Sequence, residues 1–349
     1  MQNILIFLAV MIDFSNKKIL VTRLKFIGDV VLTTPLIKTL KINFPSSEIF
    51  YMAEAETSTL LQRNPDLSGI IPLDFKLSSW EYLKFIHRLR KEKFDIVIDL
   101  FGNPRSALLS FLSGAKIRIG GDFRGRGRLF THRIREHQER RDQISYHLGF
   151  IENNEIKNFY KKTKIFLTPS EEEAALKILT ETGVDIKSRM IGIYPGATWP
   201  AKRWFPEKYA ALADLLFSRL DAQVIFFQGK NDEKIIQQII AESKRSHFYL
   251  DTHNLRITAA LIDSLDLFIS NDCGLMHIAP AVGTKTIGLF GPGEDDIWFP
   301  YSREDGHVAI RKEIWCHPCH LDFCDRMDCW KLMEMGEILE TAERLLKKK

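Results

Sequence analysis

Apolar and polar positions along the chain follow two periods that take turns. From Lys18 to Arg23 a short, mainly apolar run has the pattern of a strand buried on both faces. A turn at Gly28 follows, then apolar positions at helical spacing from about Asp29 to Asn43, stopped by Pro45. Strand-like runs recur at Glu48 to Met52, Gly69 to Pro72 and Asp95 to Asp99, with a helical pattern from Ser78 to Lys91 between the last two. After the polar stretch Glu152 to Lys164 the rhythm restarts. Strands are predicted at Met190 to Tyr194, Gln223 to Gln228, Leu267 to Ser270 and Thr286 to Phe290, alternating with helices at Pro206 to Leu220, Glu233 to Ser243, Thr258 to Ser264 and Leu275 to Val282. Alternation of this kind predicts parallel sheets covered on both faces. Two series joined by a polar linker predict an α/β protein of two Rossmann-like domains with parallel sheets facing across a cleft, ligands lying at the carboxyl ends of the strands. The expected division is 1–16 as an N-terminal appendage, 17–165 as the first domain and 166–349 as the second, the last helix being free to pack back on the first.

With 349 residues, 45% of them hydrophobic, the chain can bury two cores. The apolar run from Asn3 to Ile12 is about half the roughly 20 residues of a spanning helix, and it lacks the basic start and cleavage site of a secretory signal. No transmembrane segment and a cytoplasmic location are therefore expected, and Met11 is as good a start as Met1. The net charge of +4 is unevenly spread: Arg105, Lys116, Arg118, Arg124, Arg126, Arg128, Arg133, Arg135, Arg140 and Arg141 face few nearby acids. That stretch is either a solvated surface or a site for an anionic partner. Nucleic acid is not expected, because the stretch lacks interleaved aromatics and fits no nucleic-acid motif.

Three loops carry candidate chemistry. In Arg23-Leu24-Lys25-Phe26-Ile27-Gly28-Asp29-Val30, Gly28 permits a close backbone approach. Asp29 is then either a helix N-cap or a general base for an acceptor hydroxyl. In Tyr194-Pro195-Gly196-Ala197-Thr198-Trp199-Pro200-Ala201-Lys202-Arg203, backbone N–H groups, the Thr198 hydroxyl and the Lys202 ammonium suit a diphosphate, unless the loop merely faces water. In Ser270-Asn271-Asp272-Cys273-Gly274-Leu275-Met276-His277, a polar turn opens a helix whose N-terminus suits pyrophosphate; His277 is a ligand or a satisfied, half-buried histidine.

These segments, in this order, resemble glycosyltransferase family 9, the ADP-heptose:lipopolysaccharide heptosyltransferases, over about Lys17 to Leu345. The resemblance implies a GT-B fold, an acceptor on the first domain and a nucleotide sugar on the second. It implies an inverting transfer of heptose from ADP-heptose to the lipopolysaccharide inner core, with no cofactor or metal required. Matched by motif, Asp29 is the catalytic base. Lys202 neutralises the donor phosphates, Thr198 is a phosphate-loop hydroxyl, and Glu233 is a looser match to an acidic ribose contact. Asp272, Gly274 and His277 form the donor-binding turn, with Cys273 where the family often has Ser or Thr. An anionic lipid A and Kdo acceptor at the cytoplasmic face of the inner membrane would give the basic stretch a partner, with Gly28, Arg105 and Arg124 as acceptor-binding candidates. Another nucleotide sugar, a different bilobal nucleotide-sugar enzyme and a non-catalytic binding relative are the competing readings.

Four of the five cysteines, Cys316, Cys319, Cys324 and Cys329, are interleaved with His317 and His320. The spacing is compatible with a structural zinc site or with reduced thiols in a compact loop; disulfides are disfavoured in a reducing compartment. A similar loop recurs in the family's second-heptose branch, which points to a heptosyltransferase II-like member.

Overall fold

The computed structural model describes residues 11–134, 142–152, 154, 156–251 and 253–347. Residues 1–10 of the N-terminal segment, and Arg135, Arg140 and Arg141 of the basic stretch, lie outside the described residues. The chain divides into two compact units: Met1–Lys25, Thr33–Ser58 and Asn64–Lys161 form the first, and Phe26–Leu32, Thr59–Arg63 and Lys162–Lys349 the second.

The first unit holds a parallel sheet of β1 (Lys18–Thr22), β2 (Glu48–Glu54), β3 (Gly69–Leu73), β4 (Ile96–Asp99), β5 (Ile117–Gly121) and β6 (His132–Ile134), in the order β3-β2-β1-β4-β5-β6. β1 is central and buried on both faces, as its unbroken apolar run requires. The strand order reverses between β1 and β4, so their carboxyl ends mark the place where such a sheet receives ligands.

The helix expected from Asp29 to Asn43 is two: α1 (Ile27–Leu32) and α2 (Thr34–Asn43). Pro35 explains the break. In the first turn of α2 its missing N–H is harmless, whereas in a continuous helix its ring would press on the carbonyl four residues back. α1 therefore belongs to the second unit and α2 to the first. The capping box of Ser78 and Glu81 starts α3 (Ser79–Lys91). A similar box at Asn103 starts α4 (Pro104–Leu112). Phe85 and Leu89 of α3 and Leu109 of α4 enter one core cluster with Leu20, Met52 and Val97. Ile12 and Phe14, in the segment expected to be an appendage, are buried: the Phe14 ring lies 5.3 Å from that of Phe44, and Ile12 N–H donates to Asn154 Oδ1 at 2.8 Å.

The second unit's sheet contains β7 (Arg189–Tyr194), β8 (Ala222–Gln228), β9 (Phe248–Asp251), β10 (Leu267–Asn271), β11 (Thr286–Phe290) and β12 (His307–Arg311), in the order β12-β11-β10-β7-β8-β9, all parallel. Its helices include α5 (Pro169–Glu181), α6 (Pro206–Leu220), α7 (Glu233–Glu242), α8 (Leu255–Asp263), α9 (Gly274–Val282) and α10 (Met335–Lys347). α10 buries Ile338, Ala342 and Leu345 in the second unit's own core. The strand order reverses between β7 and β10, and the two loops singled out in the sequence leave those two strands.

Candidate functional site

At the carboxyl ends of β7 and β10 the site is built from interlocked loops. Asn271 ends β10, accepts a 2.5 Å hydrogen bond from the Tyr209 hydroxyl, and donates through Nδ2 to Pro195 O at 2.7 Å. Arg203 donates through Nε and Nη2 to Ala197 O at 2.8 and 2.7 Å, closing the loop on itself. Asp232, only 4% exposed, accepts from the Tyr194 hydroxyl at 2.8 Å and from Gly229 N–H at 3.2 Å, with Arg203 3.7 Å away. Burial and the Asp232 carboxylate push the Tyr194 hydroxyl far above its ordinary value, so it remains a donor.

Lys202 and Asp272 form an ion pair, and the Lys202 ammonium lies 4.8 Å from the centre of the half-exposed Trp199 ring. Thr198 is exposed in the same loop. Asp272 opens the turn from which α9 rises, and the Cys273 thiol there is pushed up to about 11 by burial, which keeps it protonated. His277 lies one turn into α9, hydrogen-bonded through Nδ1 to the Tyr301 hydroxyl at 2.9 Å. Burial, then the Lys202 ammonium, hold its imidazole down at about 3, so it stays neutral.

α1 packs on this same turn. The His277 ring lies against the Gly28 Cα so closely that a Cβ there would collide with it. In return, a Cβ on Gly274 would sit 2.8 Å from Ile27 Cβ. Two glycines thus let two helix ends meet at backbone distance, and Asp29 is carried into the unit that holds Lys202 and Asp272. Asp29 is the third residue of α1, inside the first turn rather than at its N-cap, and is 7% exposed. The chain reaches α1 through Phe26, whose φ of 69° is in the left-handed region that L side chains avoid.

At the carboxyl ends of β1 and β4 the first unit presents cations on aromatic rings. The Arg23 guanidinium lies 4.2 Å from the Phe101 ring centre; Lys25 and Arg105 share the Phe75 ring at 4.7 and 4.6 Å. Arg126 donates to Gly102 O at 2.7 Å. Beneath them Asp99 is fully buried, accepting from the Phe101 and Gly102 N–H groups at 3.0 Å, and burial raises its carboxyl to about 6. Arg124 is exposed at a left-handed turn with φ of 48°. Arg118 is spoken for by Leu129 O and Ala115 O at 2.8 and 2.6 Å.

Sequence reasoning missed several of these residues. Glu233 was singled out as an acidic contact, but its side chain is exposed and Asp232 is the buried carboxylate of that loop. Asn271 and Tyr301 were also passed over, as were Arg23 and Asp99, whose importance follows from strand order. For Arg23, Asp99 and Asn271 the sequence signal was a polar residue at or just past the end of an apolar strand.

The cysteine loop buttresses the second unit's site. Ala201 N–H donates to Asp322 O at 3.0 Å, Trp330 Nε1 donates to Ala201 O at 2.7 Å, and His317 Nε2 is 2.6 Å from Gly293 O. Cys316, Cys319, Cys324 and Cys329 are all free thiols lining a cavity of about 120 Å³. Among the described residues no group of three or more His, Cys, Asp or Glu is placed to hold a metal ion. No helix of the described residues is long and apolar enough to cross a membrane.

Comparison with known proteins gives a consistent picture. The model of glycosyltransferase family 9 (heptosyltransferase) matches residues 82–330. Lipopolysaccharide heptosyltransferase 2 of Escherichia coli is 28% identical over 351 aligned positions, covering 93% of this chain and 99% of that protein. A glycosyltransferase family 9 structure from Veillonella parvula superposes with a TM-score of 0.84 at 23% identity, covering 97% of this chain and 99% of the other. The structure of Escherichia coli ADP-heptose LPS heptosyltransferase II gives 0.77 at 24% identity, covering 94% and 98%. The fold is the GT-B fold expected from the sequence, with a six-stranded parallel sheet in each unit.

Proposed function

Because the chain belongs to glycosyltransferase family 9, the heptosyltransferases, we propose that it transfers heptose from ADP-heptose to the lipopolysaccharide inner core, inverting the anomeric carbon without a catalytic metal ion. The observation that carries this reading is the glycine-to-glycine packing of α1 on the turn that opens α9, which joins Asp29 to the unit bearing Lys202 and Asp272.

In this reaction Asp29 takes the proton of an acceptor hydroxyl as that oxygen attacks the anomeric carbon from the face opposite the leaving nucleotide; inversion follows. Negative charge gathers on the departing diphosphate. Lys202 and the N–H groups at the start of α9 meet it, and they do so more strongly in the transition state than in the ground state. Asp272 holds the Lys202 ammonium in place until phosphate arrives, and the neutral His277 ring sets the distance between the two helix ends. Asp232 and Arg203 keep the loop after β7 in shape to receive the nucleotide. Arg23, Lys25 and Arg105 supply positive charge for an anionic acceptor of the lipid A and Kdo type, which supports the reading of an enzyme working at the cytoplasmic face of the inner membrane.

The test is to incubate the purified full chain with ADP-heptose, with other sugar nucleotides and with truncated lipopolysaccharide, and to weigh the products. Acceptor mass rising by one heptose only with ADP-heptose is the expected result. Transfer of a different sugar would overturn the donor, and nucleotide binding without any transfer would make the chain a non-catalytic relative.

A further inference from the structure

The outer surface of the α3 and α4 layer has no role in the site just described. α3 turns Phe85 and Leu89 inward and α4 turns Leu109 inward, into one core cluster, so both helices cover the same face of the first sheet. Their opposite sides are unusual. On α3, Trp80 is 65% exposed and Leu83 56%; on α4, Leu108 is 42% and Phe111 47% exposed.

At 100° per residue, Trp80, Lys84, His87 and Lys91 fall within about 60° of one another on α3, with Leu83, Arg88 and Arg90 at the flanks. All seven are exposed. The Lys84 ammonium lies 5.4 Å from the Trp80 ring centre, and Arg118 lies 5.5 Å from that of Phe111, so each exposed aromatic carries a cation beside it. The neighbouring acids are engaged: Glu81 in the capping box with Ser78, Glu92 with Lys18 at 2.7 Å.

We propose that this outer face of α3 and α4 seats the protein on a lipid bilayer bearing anionic headgroups, with Trp80, Leu83, Leu108 and Phe111 entering the interface and the α3 cations lying among the headgroups. Large amphipathic side chains inside a basic surface are what an interfacial helix requires, and Trp favours the headgroup level. The charge complementarity selects an anionic membrane over a neutral one. The proposal deepens the functional reading, since an acceptor with a lipid anchor is met at such a surface, and it rests on that reading for its purpose but not for its geometry.

The full chain is sedimented with vesicles of phosphatidylcholine alone and of equal parts phosphatidylcholine and phosphatidylglycerol. Binding to the mixed vesicles, weakened by salt and about tenfold weaker on the neutral ones, is expected. Trp80→Ser with Leu83→Ser, and separately Lys84→Glu with Arg88→Glu, lower the partition coefficient about tenfold or more, while transfer to a soluble truncated acceptor stays within about twofold. Trp80→Phe, which keeps the ring and the fold, supplies a second measurement: the wild-type minus variant emission shifts to the blue when mixed vesicles are added. Absence of binding, undiminished binding by both double variants, or an unshifted Trp80 emission overturns the proposal. So does self-association in the absence of lipid that the same variants abolish, which would assign the face to a second copy. Failure of the wild type to transfer heptose to the soluble acceptor, with vesicle binding intact, sinks the functional reading instead.

Discussion

The two units carry the same kind of sheet with the same reversal of strand order, yet they furnish its ligand-receiving end differently. At β7 and β10 the loops are tied to one another: Asn271 to Pro195, Arg203 to Ala197, Asp232 to Tyr194 and Gly229. The surface offered there is backbone N–H groups with one lysine held by one carboxylate. At β1 and β4 it is side chains, with Arg23, Lys25 and Arg105 resting on Phe101 and Phe75. Fixed amides suit an invariant diphosphate, whose geometry is the same for every donor molecule. Cations laid on rings can shift by an ångström at little cost, which suits a large acceptor with several anionic groups.

The sharpest way to break this division is at Asp29, which is reached from the first unit's strand but packed in the second unit. Asp29→Asn keeps size and helix position and removes the proposed base. Turnover should fall about a thousandfold, roughly 4 kcal/mol, with donor affinity within about twofold. Initial rates together with calorimetric ADP titration check both halves, and an equal loss in the two would make Asp29 a donor ligand. Next comes Lys202→Met, which leaves the stem and removes the ammonium. Turnover should drop about a hundredfold, and ADP should bind more weakly, because this charge meets the diphosphate in the ground state and more strongly still in the transition state. The same variant tests the neutrality of His277. With the ammonium gone, only burial still depresses the imidazole, and its titration followed by NMR should move upward from about 3.

A smaller effect is expected in the first unit, and it concerns stability. Asp99 has a native carboxyl raised to about 6 by burial, against an unfolded value near 3.8. Between those values the native chain holds a proton that the unfolded chain has released. Stability from this group therefore falls as pH rises through that window, by up to about 3 kcal/mol, and is lost in full above it. Asp99→Asn stays neutral and keeps an oxygen for the Phe101 and Gly102 N–H groups. Urea unfolding at about pH 4.5, inside that window, and at about pH 7.5, above it, should show the wild type losing stability relative to the variant as pH rises. Parallel profiles would mean that Arg23 compensates the ionised carboxylate fully.

What was legible in the sequence follows the same division. β1, β7 and β10 are buried on both faces, so their apolar runs are unbroken and were read to within a residue or two. The interior strand β5 and the edge strands β6, β9 and β12 were missed, because each is short or only partly buried and its sequence need not be continuously apolar, whereas the edge strand β3 was read. Pro45 was used as the stop of the first helix while Pro35, which divides it, was read through; the apolar periodicity continues across Thr33 although the hydrogen bonding does not. The turn Asp272-Cys273-Gly274-Leu275-Met276-His277 was recognisable because a strand end, a glycine and a helix start coincide. That Gly28 and Gly274 face each other's helices was invisible, since the two helices lie far apart in sequence. The aromatic seats of Lys25 and Arg105 were hidden for the same reason: Phe75 lies far from both in sequence.

The smallest predicted effect separates two adjacent acids. At α7 the helix start read from the sequence, Glu233, is the one observed, so the choice between the two carboxylates rests on burial and not on the helix boundary. Glu233 is the first residue of α7 and exposed, where its charge favours the helix N-terminus by only a few tenths of a kcal/mol. Asp232 is buried against the backbone of Gly196 and Gly229 and lies 3.7 Å from Arg203. Asp232→Asn keeps the shape and one acceptor but loses the charge that holds Arg203, so the loop after β7 loosens and the donor KM should rise about tenfold, near 1.4 kcal/mol, with kcat within about threefold. Glu233→Gln should change KM by less than about twofold. Saturation kinetics of the two variants with the same donor measure the pair directly. If Glu233→Gln instead raises KM and Asp232→Asn does not, the ribose contact belongs to the exposed acid, and the interlocked loop is scaffolding without a part in donor affinity.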